Sequence, residues 1–172
     1  RFGMKVSLNQ TFDDLEWFGR GPHENYWDRK SSAKIDRYKG KVIDQTYKYV
    51  RPQETGNKTD IRWLALYNGS VGLMIKGLPI FDGSVHHYDY SLLDYFKGGQ
   101  RHGQLDVIKG NQIDLLVDYK QMGVGGDNSW GAKPHSKYTL PVDTAVYNLE
   151  YAIIPFNKKN ELDGLARINI DN

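Results

Sequence analysis

A glycine-rich, polar segment that ends in a tryptophan is the most distinctive candidate site in the sequence. Gly125 and Gly126 tolerate backbone conformations closed to other residues, and Asp127 and Ser129 are expected to cap the loop backbone and shape it. Such a loop can push the indole of Trp130 outward, where its face can bind the C–H surface of a sugar ring. An indole packed into the core of its own domain is the alternative, and the residues alone slightly favour it.

Two glutamates, Glu24 and Glu54, lie in loop-like segments with arginine and asparagine residues nearby. These neighbours are expected to keep both carboxylates ionised and paired. Arg20 or Arg62 is the expected partner, because the planar guanidinium donates paired hydrogen bonds to a carboxylate. We therefore assign Glu24, Asn25, Glu54 and Arg62 mainly to shaping the loops, with contact to another domain as the alternative.

The remaining side chains form no recognisable site for a metal, a cofactor or a nucleophile. The chain has no cysteine, which excludes disulfides, thiolate metal sites and a cysteine nucleophile. His86 and His87 are adjacent, so in a strand they point to opposite faces. The other histidines have no partner at a metal-ligand spacing; they are His23, His102 and His135. We expect no metal or cofactor in this chain.

Length, charge and hydropathy exclude several classes of protein. The 172 residues are enough for one domain, which we place at 1–172. The net charge is only +2, and the basic residues are scattered, which argues against nucleic-acid binding. Apolar stretches such as Val71–Ile75 are far shorter than the about 20 residues of a membrane span. We expect a soluble, bacterial-type protein of the cytoplasm or periplasm and leave open which of the two.

Alternation of apolar and polar residues predicts β-strands, because side chains point to opposite faces in turn. Four stripes of this kind occur: Phe2 to Leu8, Ile61 to Tyr67, Ile113 to Tyr119 and Tyr147 to Ile153. The second stripe places Ile61, Trp63, Ala65 and Tyr67 on one face. Asn68-Gly69 follows it and predicts a hairpin turn, since both residues tolerate positive φ. Asp82-Gly83 is a candidate for another turn.

Helical signal is weak, and long polar loops separate the strands. A single short helix is expected from Ser91 through Lys97, where Gly98-Gly99 would end it. Long loops are expected at Gly19–Lys34, Val50–Asp60 and Gly123–Ser136, and loops of this length in a compact domain usually carry function or form interfaces. The predicted fold class is all-β, an antiparallel β-sandwich.

Three segments carry a resemblance to a known family. Trp17–Arg29 has the sequence WFGRGPHENYWDR, Arg51–Trp63 has RPQETGNKTDIRW, and Met122–Trp130 has MGVGGDNSW. In this order and spacing they resemble the last domain, the small-chain region, of the long-chain β-galactosidases of glycoside hydrolase family 2. The resemblance covers about Arg1 to Pro155.

The resemblance implies a fold and a place within a larger enzyme. The fold would be the antiparallel β-supersandwich that this domain shares with galactose mutarotases. In the family the domain begins upstream of a segment like Arg1–Leu8, so we expect this chain to lack the N-terminal portion and to be the C-terminal part of a multidomain glycosidase. The catalytic glutamates of the family lie in a (β/α)₈ barrel, and the chain alone is therefore expected to be inactive.

The resemblance also implies ligands and partners. Trp130 matches the tryptophan that this domain contributes to the active-site mouth, where it stacks on the sugar in the aglycone position. This match reverses the preference for a buried indole. The implied partners are a β-galactoside or related carbohydrate, the other domains of the parent chain, to which any Mg or Na would belong, and a second copy in a homo-oligomer. The sequence departs from the family at Trp27, usually Pro, at Thr55, usually Asn, and at Asn128, usually Asp.

Two other functions remain open from the sequence. The aromatic loops also suit a free-standing carbohydrate-binding module. The shared fold allows an aldose 1-epimerase, which needs a His and a Glu on either side of the sugar ring to move protons. Fold alone is a poor guide to function, and the three segments match the β-galactosidase domain instead, so the epimerase ranks last.

Overall fold

The computed structural model describes residues 1–50, 53–69, 71–89, 109–128, 130–143 and 145–170. Seven β-strands form the framework of this part of the chain: β1 Phe2–Asn9, β2 Asp14–Gly21, β3 Lys34–Lys41, β4 Lys58–Asn68, β5 Val71–His86, β6 Gln112–Lys120 and β7 Glu150–Phe156. One short helix, α1, spans Leu162–Arg167, and 3₁₀ turns occur at Val42–Gln45, Ser136–Tyr138 and Lys159–Glu161. The helix expected from Ser91 through Lys97, as well as Arg51, Pro52, His102 and Ser129, lies outside the described residues.

The strands form one antiparallel sheet that is organised around the long strand β5. The order is β1-β6-β5-β4-β2-β3, with β7 also paired to β5. The first half of β5 (Gly72–Leu78) pairs with β7, whereas its last residues (Asp82–His86) pair with β6. Strand β4 runs beside both halves of β5, from Asn68 opposite Val71 to Lys58 opposite Gly83.

The main hydrophobic core lies between two parts of the sheet that are not neighbours in strand order. Leu15 and Trp17 of β2 pack in one buried cluster with Leu115 and Val117 of β6, and Met4 of β1 packs against it. The sheet therefore folds over itself and encloses apolar side chains between its two halves, as in a sandwich. The predicted all-β, antiparallel sandwich is confirmed.

A smaller core lies on the opposite face of β4. Trp63, Ala65 and Tyr67 pack there with Met74 of β5, and the cluster also includes Phe156 and Leu162. Leu162 belongs to α1, a helix that the polar sequence around it did not predict. The Nζ of Lys76 donates to the carbonyl oxygens of Leu165 and Ala166, at 3.3 and 3.1 Å, and so fixes the end of that helix.

The four alternating stripes locate β1, β4, β6 and part of β7 but not β2 or β3, and some faces differ from expectation. The stripes of β1 and β6 are confirmed, and so is a hairpin between β4 and β5, where Gly69 has φ +60°; Asn68, expected in the turn, is instead the last residue of β4 and pairs with Val71. The expectation that Ile61 shares a face with Trp63 is wrong, because the register shifts between them and Ile61 enters the main core. The expected turn at Asp82-Gly83 is also wrong: both residues lie inside β5.

Strand β7 turns its predicted stripe outward. Tyr151 and Ile153 are 44% and 49% exposed, whereas Phe156 is buried and Ile154 packs against the smaller core. The strand begins at Glu150, so Tyr147 precedes it. Within the described residues, no helix is long and apolar enough to cross a membrane.

Candidate functional site

The three segments that carry the sequence signature meet at one surface. A cleft of about 400 Å³ lies between them. Its lining comes from the first segment, from the second segment and the chain just before it, and from the third: Tyr26, Asp28 and Arg29; Tyr49, Gln53 and Glu54; Val124 and Gly125. We refer to these segments as loops 1, 2 and 3, and loop 2 is taken to begin at Tyr49. Their convergence brings residues about a hundred positions apart into one candidate site.

Asn25 ties loop 1 to the start of β4. Its side chain is fully buried, and its Oδ1 accepts hydrogen bonds from the backbone N–H and the hydroxyl of Thr59, at 2.9 and 2.5 Å. Its backbone N–H donates to the carbonyl of Asn57, and the Asn57 amide donates back to the carbonyl of Asn25. Buried polar groups need such partners, so this network fixes loop 1 against β4.

Glu24 is held ionised at the edge of the same network. Its carboxylate pairs with Arg29 at 2.7 Å and accepts hydrogen bonds from three groups of loop 2: the Tyr49 hydroxyl, the Thr55 hydroxyl and the Gly56 N–H. Burial would raise the pKa of Glu24, but these hydrogen bonds and the charge of Arg29 outweigh it and lower the pKa. The carboxylate therefore cross-links loops 1 and 2 as an anion.

Glu54 and the two predicted arginines have other partners than expected. Glu54 pairs with Arg1 at 2.8 Å, not with Arg20 or Arg62. Arg20 pairs with Asp60 at 2.5 Å, and Arg62 donates to the backbone carbonyl of Asp60. Both arginines thus support one residue at the start of β4.

Asp60 needs that support because its backbone is unusual. Its φ is +55°, a conformation that residues other than glycine rarely adopt. Burial would raise the pKa of its carboxyl group, but hydrogen bonds from Arg20 and Lys30, with their charges, lower it. The ion pairs with Arg20 and Lys30 therefore stabilise a strained position within β4, and Arg20 and Arg62 are both engaged at Asp60.

The chain turns back after loop 3, so that residues 132–138 contact residues 123–128 at successive points. The base is closed by a hydrogen bond from the Gly123 N–H to the carbonyl of Tyr138, at 2.8 Å. Further out, the Asp127 carboxylate lies 2.8 Å from Nε2 of His135. Asp127 thus contacts the side chain of His135 on the returning side, where a cap of the loop backbone was expected. These contacts shape the two sides into a narrow projection.

Trp130 lies near the tip of this projection and is 94% exposed. Its backbone N–H donates to Oδ1 of Asn128 at 2.8 Å, so Asn128 provides the local cap, and Gly131 follows with φ +98°. A Cβ on Gly126 would overlap the backbone carbonyl of Ala132, so the two sides of the loop approach closely only because residue 126 is glycine. The structure does not bury the indole in the core of its own domain.

Loop 1 also contacts the base of the projection. Oδ2 of Asp28 accepts a hydrogen bond from the Gly125 N–H at 2.7 Å. Trp27 packs edge-to-face with Tyr138, with ring centroids 6.0 Å apart and an interplanar angle of 80°. The Nζ of Lys120 lies over the Trp27 indole, 4.2 Å from the ring centroid. Sequence reasoning marked Trp27 as a departure but missed these contacts, because no local pattern reports a pairing between residues so far apart in the chain.

The glutamates of the described residues are mostly bound by arginine. Three of the five glutamates are engaged by arginine: Glu16 by Arg37, Glu24 by Arg29 and Glu54 by Arg1. No group of three or more metal-ligating side chains occurs in the described part of the chain. The site offers a polar cleft at the base of loop 3 and an exposed aromatic face near its tip.

Comparison with known proteins gives a consistent family. A family model described as "Beta galactosidase small chain" matches residues 1–153. The chain is 45% identical over 147 residues, 85% of its length, to a beta-galactosidase of Priestia megaterium. It is 34% identical over 142 residues (83% of its length) to a beta-galactosidase of Halalkalibacterium halodurans and 35% identical over 150 residues (87%) to one of Vibrio cholerae. In each case it spans 14% of the relative's length.

Proposed function

The chain belongs to the β-galactosidase small-chain family, and we propose that it is the C-terminal domain of a retaining β-galactosidase of glycoside hydrolase family 2. In this role it presents Trp130 at the mouth of the active site, where the indole stacks on the sugar in the aglycone position. The chain as a whole, 1–172, forms one domain of that enzyme. The exposed indole of Trp130 is the observation that carries the proposal.

Exposure of a whole indole favours a binding role over a packing role. An aromatic side chain that stays in water forgoes the roughly 1.5–3 kcal/mol that burial of a large apolar side chain contributes. Here a loop closed at Gly123–Tyr138 holds the indole outward instead. Covering one face of the ring with the C–H surface of a sugar recovers part of that free energy, and the orientation of the ring selects a flat, cyclic ligand.

The bond-breaking chemistry belongs elsewhere in the parent enzyme. A retaining glycosidase uses two carboxyl groups about 5–5.5 Å apart, one as nucleophile and one as acid/base. In this chain, Glu16, Glu24 and Glu54 are each committed to an arginine. We therefore assign catalysis, and any Mg or Na, to other domains, and we expect the 172-residue chain alone to be inactive.

Trp130→Ala in the full-length enzyme tests the proposal when substrates with different leaving groups are compared. Lactose offers a sugar ring to the indole, whereas methyl β-galactoside offers only a methyl group. Loss of a stacking contact worth about 1.4 kcal/mol should lower kcat/KM for lactose about tenfold, with a clearly smaller loss for methyl β-galactoside. Val146→Ala, at a side chain 88% exposed outside the three loops, is the matched control. Equal losses of kcat/KM on both substrates would contradict the stacking role.

A further inference from the structure

We propose that Asp28 is a positioning residue for Trp130: its carboxylate fixes the backbone of loop 3 and thereby the direction in which the indole is presented. This inference rests on the proposed function of Trp130 and extends it to a second loop. The Asp28 side chain acts through the Gly125 backbone and is not assigned a contact with the sugar.

The first support is the contact itself. Oδ2 of Asp28 accepts from the Gly125 N–H at 2.7 Å, across 97 residues of sequence. A hydrogen bond to an ionised carboxylate is roughly twice as strong as one between neutral groups. The same oxygen also lies close to Gly123, since a Cβ added there would come within 2.6 Å of it. Loop 3 is therefore held both by a hydrogen bond and by steric contact.

The second support is that the preceding residue holds the other side of the same loop. Trp27 packs edge-to-face with Tyr138, whose carbonyl accepts the Gly123 N–H that closes the base of the projection. Two adjacent side chains of loop 1 thus contact both sides of the projection: Asp28 contacts the outgoing side and Trp27 the returning side. Because both sides are held at the base, the direction of the tip that carries Trp130 is restricted.

The third support is that one oxygen of this carboxylate has no hydrogen-bond partner among the described residues. This oxygen, Oδ1 of Asp28, is buried. A buried polar oxygen without a partner costs about 1–3 kcal/mol. A residue kept at such a cost, with one oxygen on the loop that carries Trp130, is consistent with a role in placing that loop.

The physical need for such a residue follows from the glycines of loop 3. Gly125, Gly126 and Gly131 leave the free loop many backbone conformations, and ordering them on ligand binding would reduce affinity. A tie at Gly125 restricts those conformations before the sugar arrives. The benefit should therefore depend entirely on the indole that the loop carries.

A double-mutant cycle in the full-length enzyme tests this dependence. The variants are Asp28→Ala, Trp130→Ala and the pair, with glucose as the probe and its half-saturating concentration for galactosyl transfer as the readout. We expect Asp28→Ala to raise that concentration about threefold to tenfold in the presence of Trp130 and not at all in its absence. Asp28→Asn retains an oxygen that can accept from Gly125, so it should restore the wild-type value.

Each outcome of the cycle separates this inference from the proposed function. If Trp130→Ala raises the half-saturating glucose concentration and Asp28→Ala does not, the positioning role alone is overturned. The same holds if the fold-changes of the two single variants multiply in the double variant. No effect of Trp130→Ala would overturn the stacking role and this inference with it. If Asp28→Ala does not fold, Asp28→Ser replaces it, since its hydroxyl is too short to reach the Gly125 N–H, and the same criteria apply.

Discussion

The side-chain oxygen of Asn25 accepts hydrogen bonds from both the backbone N–H and the hydroxyl of Thr59, and this relationship joins loop 1 to β4. Replacing Asn25 with Ala would leave the buried Thr59 donors without their acceptor. We expect Asn25→Ala to lower the free energy of unfolding by about 2–4 kcal/mol, since each unsatisfied buried group costs about 1–3 kcal/mol. Chemical denaturation of the variant measures this loss.

The exposed Asn148 provides the control for that measurement. Asn148→Ala should change the free energy of unfolding by less than about 0.5 kcal/mol, as exposed substitutions usually do. Similar losses for the two variants would show that the Asn25 network contributes nothing specific to the fold.

Asp82 makes stability depend on pH. Burial raises the pKa of its carboxyl group to about 7, against backbone hydrogen bonds from Gln121 and Asp60. An aspartate in the unfolded chain releases its proton near pH 4. Between these two values the folded protein binds more protons than the unfolded chain, so the contribution of Asp82 is lost as pH rises through about 7.

Asp82→Asn removes this titration while keeping a similar shape. The stability of the variant relative to wild type should therefore be more favourable at pH 8 than at pH 4.5. The comparison between the two proteins cancels the other titrating groups, such as His86, whose pKa burial lowers to about 3 and whose pH dependence has the opposite sign. A difference in unfolding midpoint that stays constant across this range would contradict the prediction.

Gly126 should be the least replaceable glycine of loop 3. A Cβ at this position would overlap the carbonyl of Ala132 and force the two sides of the projection apart. We expect Gly126→Ala to increase hydrogen exchange of the backbone amides in residues 121–138 while those of β4 and β5 keep their protection. Gly164→Ala is the matched control, because nothing lies within 4 Å of the added Cβ. Unchanged exchange in loop 3 would show that the close approach does not shape it.

The 172-residue chain should not hydrolyse a β-galactoside on its own. Its loop glutamates are bound to Arg29 and Arg1, and the proposed catalytic carboxylates lie in another domain. The test is release of nitrophenol from a chromogenic galactoside by pure chain whose β-structure has been verified by circular dichroism. Turnover that co-purifies with the chain and persists after repeated purification would overturn the assignment of catalysis to the rest of the enzyme.

Local patterns predicted β1, β4, β6 and part of β7 because burial on one face repeats every second residue, but they did not predict β2 or β3. They failed where the sheet itself changes register: the shift after Ile61 moves that side chain into the main core, which alternation alone cannot reveal. The helix α1 was missed because its sequence, LDGLAR, contains a glycine and is too short for a helical period. Its stability comes from packing Leu162 on the smaller core, which is a tertiary effect.

The candidate site was predictable only in part for the same reason. The glycines and polar residues before Trp130 allowed an outward indole but slightly favoured a buried one, and only the resemblance to the family favoured exposure; the indole is 94% exposed. The ion-pair partners of Glu24 and Glu54 and the contact of Asp28 with Gly125 depend on which loops the sheet brings together. Residues separated by most of the chain carry no local signal of that kind.

The most direct test of the central claim is galactosyl transfer to glucose by the full-length enzyme. A retaining enzyme forms a galactosyl intermediate, and water and a sugar bound in the aglycone position compete for it. Stacking on Trp130 predicts that Trp130→Ala requires about tenfold more glucose to reach half-maximal transfer, with Val146→Ala unchanged. A Trp130→Ala enzyme that reaches half-maximal transfer at the wild-type glucose concentration would contradict the proposal that this domain supplies the aglycone platform.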